Sequence, residues 1–212
     1  MRSDTTDKPG SGPAGNIADA PARERLIKAA ARLFAQKSFG GVSVREICKE
    51  AGTGINMIHH YFGNKEGLRD AIIAEYDAAI FAMPIRLLAP PAQSKDDLAA
   101  RMQLLFETTL EALLANRDTM MVVLREQMQL KQLDAFQADF VAFVEDAKSN
   151  GIVRADLDAG MISGALLDRV ISQVQFAPWI KESYGVDLAT DEDYRTRWCR
   201  GNVDLFLNGL LA

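Results

Sequence analysis

From residue 22 onward, apolar side chains recur every three or four positions, and no stretch sustains a one-by-one alternation. That spacing matches the 3.6-residue turn of an amphipathic helix. The absence of a two-residue repeat removes the sheet as an organising element. The fold expected is all-α, with about nine helices. Leu26, Ala30, Leu33 and Phe34 give a first helix over 22–37 one apolar face. Two short helices follow, one starting at Ser43 and one over 54–61. A fourth is expected over 64–83, stopped by Pro84, whose ring and missing N–H oppose helix continuation. The remaining helices are expected near 95–115, 118–130, 134–150, 158–176 and 191–211. Asn150-Gly151 and Asn208-Gly209 lack flanking alternation and read as helix ends, not hairpin turns.

The chain has 212 residues, 48% of them hydrophobic and 25% charged, enough for a small domain and a larger one. Residues 1–21, rich in Pro, Gly and Ser, read as a disordered tail. Residues 22–66 read as the small domain, 64–83 as the linking helix and 84–212 as the larger domain. Pro84, Pro90 and Pro91 mark the connection. No run approaches the roughly 20 apolar residues of a membrane helix, and no apolar stretch follows Met1, so a cytoplasmic protein without membrane contact is expected. Cys48 and Cys199, on separate helical patterns, read as buried thiols. The net charge of −5 argues against a nucleic-acid ligand until its distribution is read. Residues 22–66 hold eight basic side chains against four acidic ones, a balance of +4 that leaves −9 elsewhere. A cationic end on an acidic body suits phosphate contact at that end.

The cationic segment also carries a motif. Ser43 and Glu46 have the spacing of a capping box, in which each side chain takes the other's backbone amide. Ala51 and Gly52 then allow a close, sharp turn into the next short helix, the pattern of a helix-turn-helix. Such a pair braces one helix on the DNA backbone and lays the second in the major groove. The series Phe39-Gly40-Gly41-Val42-Ser43-Val44-Arg45-Glu46-Ile47, then Ala51-Gly52, then Ile58-His59-His60-Tyr61-Phe62-Gly63-Asn64-Lys65-Glu66-Gly67-Leu68 resembles the N-terminal domain of TetR-family regulators. Tyr61, Phe62, Lys65 and Leu68 are its most telling members.

The resemblance implies a three-helix DNA-binding head and a larger helical domain for ligand binding and dimerisation. It further implies a homodimer on a palindromic double-stranded operator. By position, Ser43 and Arg45 would meet the DNA backbone or a base edge. Gly54, Ile55, Asn56, Met57 and His59 would face the groove, and His60, Tyr61 and Lys65 would hold phosphates. The chemistry is compatible: Asn56 can pair bidentately with adenine, and Lys65 opens a helix whose N-terminus already attracts anions. Gly54 and Ile55 stand where family members often carry polar and hydroxyl residues, which shifts base reading toward Asn56 and His59. His59-His60 is no metal site by spacing, because adjacent helical residues diverge by about 100° and no third ligand stands nearby.

The rest of the chain resembles the family only in length and helical pattern. Met102, Phe106, Met121, Leu124, Met128, Phe140, Gln173 and Phe176 are candidates to line a cavity for a small effector with apolar surface. Arg125 and Gln127 are further polar candidates, and ordinary core packing competes for the apolar ones. Gly160, Gly164 and Ala165, with Val203, Phe206, Leu207 and Leu210, are candidates for a helical dimer interface, against packing within one chain. No catalytic cluster, metal set or cofactor-binding motif is visible. The expectation is a repressor released by an effector; a related activator, or a helical enzyme or ligand carrier with a similar bundle, are the alternatives.

Overall fold

The computed structural model describes residues 20–210, and among these it contains ten α-helices and no strand. Most of the expected tail, and the side chain of Leu210, lie outside the described residues. The helices are α1 (Ala20–Lys37), α2 (Val44–Ala51), α3 (Ile55–Phe62), α4 (Lys65–Leu88) and α5 (Lys95–Ala115). They continue as α6 (Arg117–Glu126), α7 (Lys131–Ser149), α8 (Ala159–Gln175), α9 (Ala177–Tyr184) and α10 (Glu192–Leu210). The tenth helix is α9, a short segment with only Ile180 buried and too little apolar surface to show as a separate period.

Two hydrophobic cores form. The first joins Leu26, Ala30 and Phe34 of α1 to Ile47 of α2, Ile58 of α3, and Leu68 and Ile72 of α4. Val122 of α6 completes it. The second begins one residue on, at Ile73, and runs through Phe81, Phe106, Phe136, Phe140 and Leu166 to Val203. One continuous helix, α4, thus belongs to both.

Pro84 does not stop α4. It lies buried inside the helix, and Leu88, beyond it, is buried in the second core with Ile85 packed against that core. Burial of the last turn outweighs the lost hydrogen bond, and the helix ends before Pro90-Pro91 instead. α6 is shorter than expected, because Gln127 turns left-handed with φ 50°. α7 starts at Lys131, ahead of the acid at 134, and has no side-chain cap of its own. Its cap comes from α4: the buried Asp77 carboxylate accepts the Gln132 amide at 3.0 and 3.2 Å.

Candidate nucleic-acid interface and effector cavity

The head is built by local signals. Ser43 Oγ accepts the Glu46 amide at 3.2 Å, and a Glu46 oxygen accepts the Ser43 amide and hydroxyl at 2.8 Å each. The Ser43 backbone hydrogen bond, with help from the Lys37 ammonium, holds the Glu46 carboxyl down at about 2. Gly52 ends α2 at φ 63°, a left-handed conformation that costs any side chain about 1 kcal/mol or more. The Thr53 amide then closes back on the Cys48 carbonyl at 2.9 Å, and α3 begins.

Ile58 points α3 into the core, while Asn56, His59 and His60 are exposed and Ile55 is 41% exposed. His59 Nδ1 lies 2.8 Å from the Gly63 carbonyl, an acceptor to which that nitrogen donates. Gly54 caps α3 without a side chain, which keeps the first turn open. Met57 is turned differently from the expectation. It is half-buried against the head core, one helical step from the exposed face. Tyr61 is half-buried too, its ring edge-on to His60 at 4.8 Å.

Most head cations are occupied. Arg23 pairs with Glu75, Arg32 with Glu50, and Lys28 with Glu24. Arg25 donates to the Ala51 carbonyl and Lys37 pairs with Glu46. Lys65, expected to hold a phosphate, directs its ammonium into the head. It donates to the carbonyls of Phe39 at 3.0 Å and Val42 at 2.9 Å, and sits over the Phe39 ring. It braces the α1–α2 loop, a need that only the folded loop reveals. Arg45 and Lys49 have no hydrogen bond or ion pair among the described residues, and both are exposed on α2. Ser43 spends its hydroxyl within the capping box.

In the body, a cavity of about 450 Å³ opens among α4 to α8. That lies within the range of small-molecule sites. Its floor is made by buried Tyr76, Ile80 and Phe81 of α4, Leu113 of α5 and Met120 and Val123 of α6. Its mouth carries exposed Leu124, Gln127, Gln137 and Asp168. The Tyr76 hydroxyl is pushed up by burial and then by the neighbouring Asp77 charge, so it stays protonated.

Of the residues expected to line a cavity, Leu124 and Met128 do so. Met102, Phe106 and Phe140 are sealed in the core, at most 2% exposed. Met121 is rotated off the wall that Met120 supplies, the 100° offset of neighbouring helical residues. Gln173 and Phe176 belong to a separate depression beside Trp179, where Gln173 bonds the Tyr194 hydroxyl at 3.2 Å. Arg125 is no cavity group: it donates to the Ala35 carbonyl at 2.9 Å and to that of Phe34, at the end of α1. Gly164 faces the cavity, and Gly160 lines a groove between α7 and α8. Val203 is buried within the single chain, and Phe206 and Leu207 are half-buried against the same core. Ala165 is exposed on α8.

The match to a known family falls on the helices of the head. A family described as "Bacterial regulatory proteins, tetR family" matches residues 26–72. The probable regulator YttP of Bacillus subtilis is 41% identical over 54 residues, 26% of each chain. This chain therefore spans only about a quarter of that relative's length. UidR of Escherichia coli K12 is 26% identical over 156 residues, 70% of this chain and 77% of that one. The repressor KstR2 of Rhodococcus jostii is 25% identical over 159 residues, 69% and 74% of the two chains. Among solved structures, the regulator PfmR of Thermus thermophilus aligns with a TM-score of 0.68 at 18% identity, over 89% of this chain and 100% of that one. FadR of Bacillus subtilis, solved with stearoyl-CoA, aligns with a TM-score of 0.63 at 18% identity, over 88% and 98%. At these identities the structural likeness speaks for the fold.

Proposed function

We propose that the chain, whose residues 26–72 match the TetR family, is a DNA-binding transcriptional repressor that leaves a palindromic operator when a small effector fills the body cavity. The observation that carries the DNA half is the exposed row of Ile55, Asn56, His59 and His60 on α3, beside the unpaired Arg45 at the start of α2. Asn56 and His59 read base edges, Ile55 meets thymine methyls, and Arg45 and His60 contact phosphates or sugar. Gly54 keeps the start of α3 open to the backbone, Ser43 orients the first turn of α2, and Tyr61 buttresses the row. A homodimer sets two heads about 34–36 Å apart, one turn of DNA. Residues 22–66 act as the head, α4 as the link and the remainder as the effector and dimerisation domain, in the cytoplasm. A repressor among the relatives favours repression over activation.

The coupling runs through α6. One side of this helix lends Met120 and Val123 to the cavity. Its other side buries Val122 in the head core and anchors Arg125 on the α1 carbonyls. An effector that displaces α6 must tilt the head, and it acts only by its differential affinity for the two arrangements.

The test begins with selection of binding sites from random duplex DNA. Fluorescence anisotropy on the selected site then compares the wild type with Asn56→Ala/His59→Ala. The double variant is expected to lose about 2–6 kcal/mol of binding to the selected site, two base contacts' worth, and much less to random sequence. Equal affinity of the two proteins for the selected site would remove α3 as the reading helix.

A further inference from the structure

The body cavity is polarised from floor to mouth. Its deep wall is apolar except for the hydroxyls of Tyr76 and the buried Thr109. The groups at its mouth are the amides of Gln127 and Gln137 and one carboxylate, Asp168. Among the described residues, no Lys, Arg or His lines it. Three cations of the surrounding helices are committed elsewhere: Arg125 to the α1 carbonyls, Arg169 to Asn202 at 2.6 Å, and Arg117 toward the Val174 carbonyl. Lys131 faces a different depression that contains Asp70 and Asp77. Asp168 itself has no hydrogen bond or ion pair among the described residues.

We infer that the effector is a hydrophobic amine: an apolar body on the floor, with a protonated nitrogen at the mouth beside Asp168 and the two glutamine amides. The inference rests on the reading of this cavity as the effector site. The sign of the charge decides. A carboxylate or phosphate brought to this mouth meets a like charge and loses water without gaining a cation, whereas an ammonium gains one charge-assisted partner. Anionic fatty acids and their thioesters are therefore disfavoured here, although the fold accommodates stearoyl-CoA in one structural neighbour. Gly164 widens the same cavity: a Cβ built there meets nothing within 4 Å. Its place can be filled without a clash at the backbone.

Calorimetric titration of the full chain at neutral pH with n-decylamine, n-decanol and n-decanoate, each below its micelle concentration, separates charge from apolar bulk. Decylamine is expected to bind tightest and decanoate weakest, roughly tenfold apart. Asp168→Asn, at an exposed and unpaired position, is expected to bring amine and acid to within about twofold while decanol is unchanged. Gly164→Phe is expected to abolish binding of all three. If decanol binds and Gly164→Phe blocks it, but decanoate matches decylamine, the cavity reading stands and the charge inference falls. The charge inference falls likewise if the preference for the amine survives in Asp168→Asn. If none of the three binds, or Gly164→Phe leaves binding intact, both fall.

Discussion

The head and the body solve different problems, and their stabilising contacts show it. In the head, the caps that start α2 and α4 are close in sequence: Ser43 with Glu46, and Asn64 capping Gly67 at 2.7 Å, each three residues apart, while Lys65 and Arg25 tie these helices together over longer separations. In the body the contacts reach far: Asp77 to Gln132 across 55 residues, and Arg169 to Asn202 across 33. A head that must fit the fixed geometry of a DNA groove can be specified by short motifs. A cavity among five helices is specified only once those helices are assembled. The two regions are nonetheless not independent, since α4 runs through both cores and α6 places Val122 in the head.

Damage to the head core tests that dependence most severely. Phe34 is 1% exposed, and Phe34→Ala is expected to cost about 3–5 kcal/mol. Both tryptophans, Trp179 and Trp198, lie in the body, so their fluorescence in a urea titration reports that region alone. The shared helices predict that the fluorescence transition shifts together with the far-ultraviolet circular dichroism. A fluorescence midpoint left at its wild-type value while part of the dichroism melts early would show two separate folding units.

A smaller effect concerns communication. Arg125→Ala removes the donors to the Phe34 and Ala35 carbonyls without touching the cavity wall. It is expected to leave effector affinity near wild type while the effector's power to release DNA falls by about 1–3 kcal/mol of coupling, read as the shift in operator Kd on adding effector. An undiminished shift would place the coupling in α4 alone. Smaller again is Arg45→Ala. With no partner to abandon among the described residues, it is expected to weaken selected and random DNA alike and to reduce the salt dependence of binding by about one counterion. A loss confined to the selected sequence would make Arg45 a base reader.

The same contrast explains what could be read from sequence. The all-α class follows from periodicity alone. The α2 cap and the Gly52 turn are legible because residue type and local geometry coincide within a few positions. Pro84 misleads because the energy that carries α4 past it comes from Leu88 and the core it enters, not from neighbours in sequence. Asp77 gives no capping signal because it caps a helix that begins 54 residues later. Met120 and Met121 differ only in phase, and which of them meets a cavity is decided by the neighbouring helices. Lys65 reads from sequence as a phosphate ligand because the two carbonyls it serves come from a loop whose path the sequence does not show.

The smallest expected effect tests whether the head's local signals act as charges or as shapes. The carboxyl of Glu46 sits at about 2 in the folded chain against an ordinary 4.5, because the Ser43 amide and the Lys37 ammonium favour its ionised form. A carboxyl whose folded value is depressed contributes stability that is fully present above about 4.5 and is lost as pH falls through about 2. Glu46→Gln keeps an oxygen able to accept the Ser43 amide but removes the charge. The wild type should therefore melt above Glu46→Gln at neutral pH, and the gap should close as the pH is lowered across that window. Added salt at neutral pH should narrow the gap only in part, because the Lys37 pair is screened while the short amide contact is not. A gap that stays constant down the acid arm would mean that the side chain's shape, and not its ionisation, holds the first turn of α2.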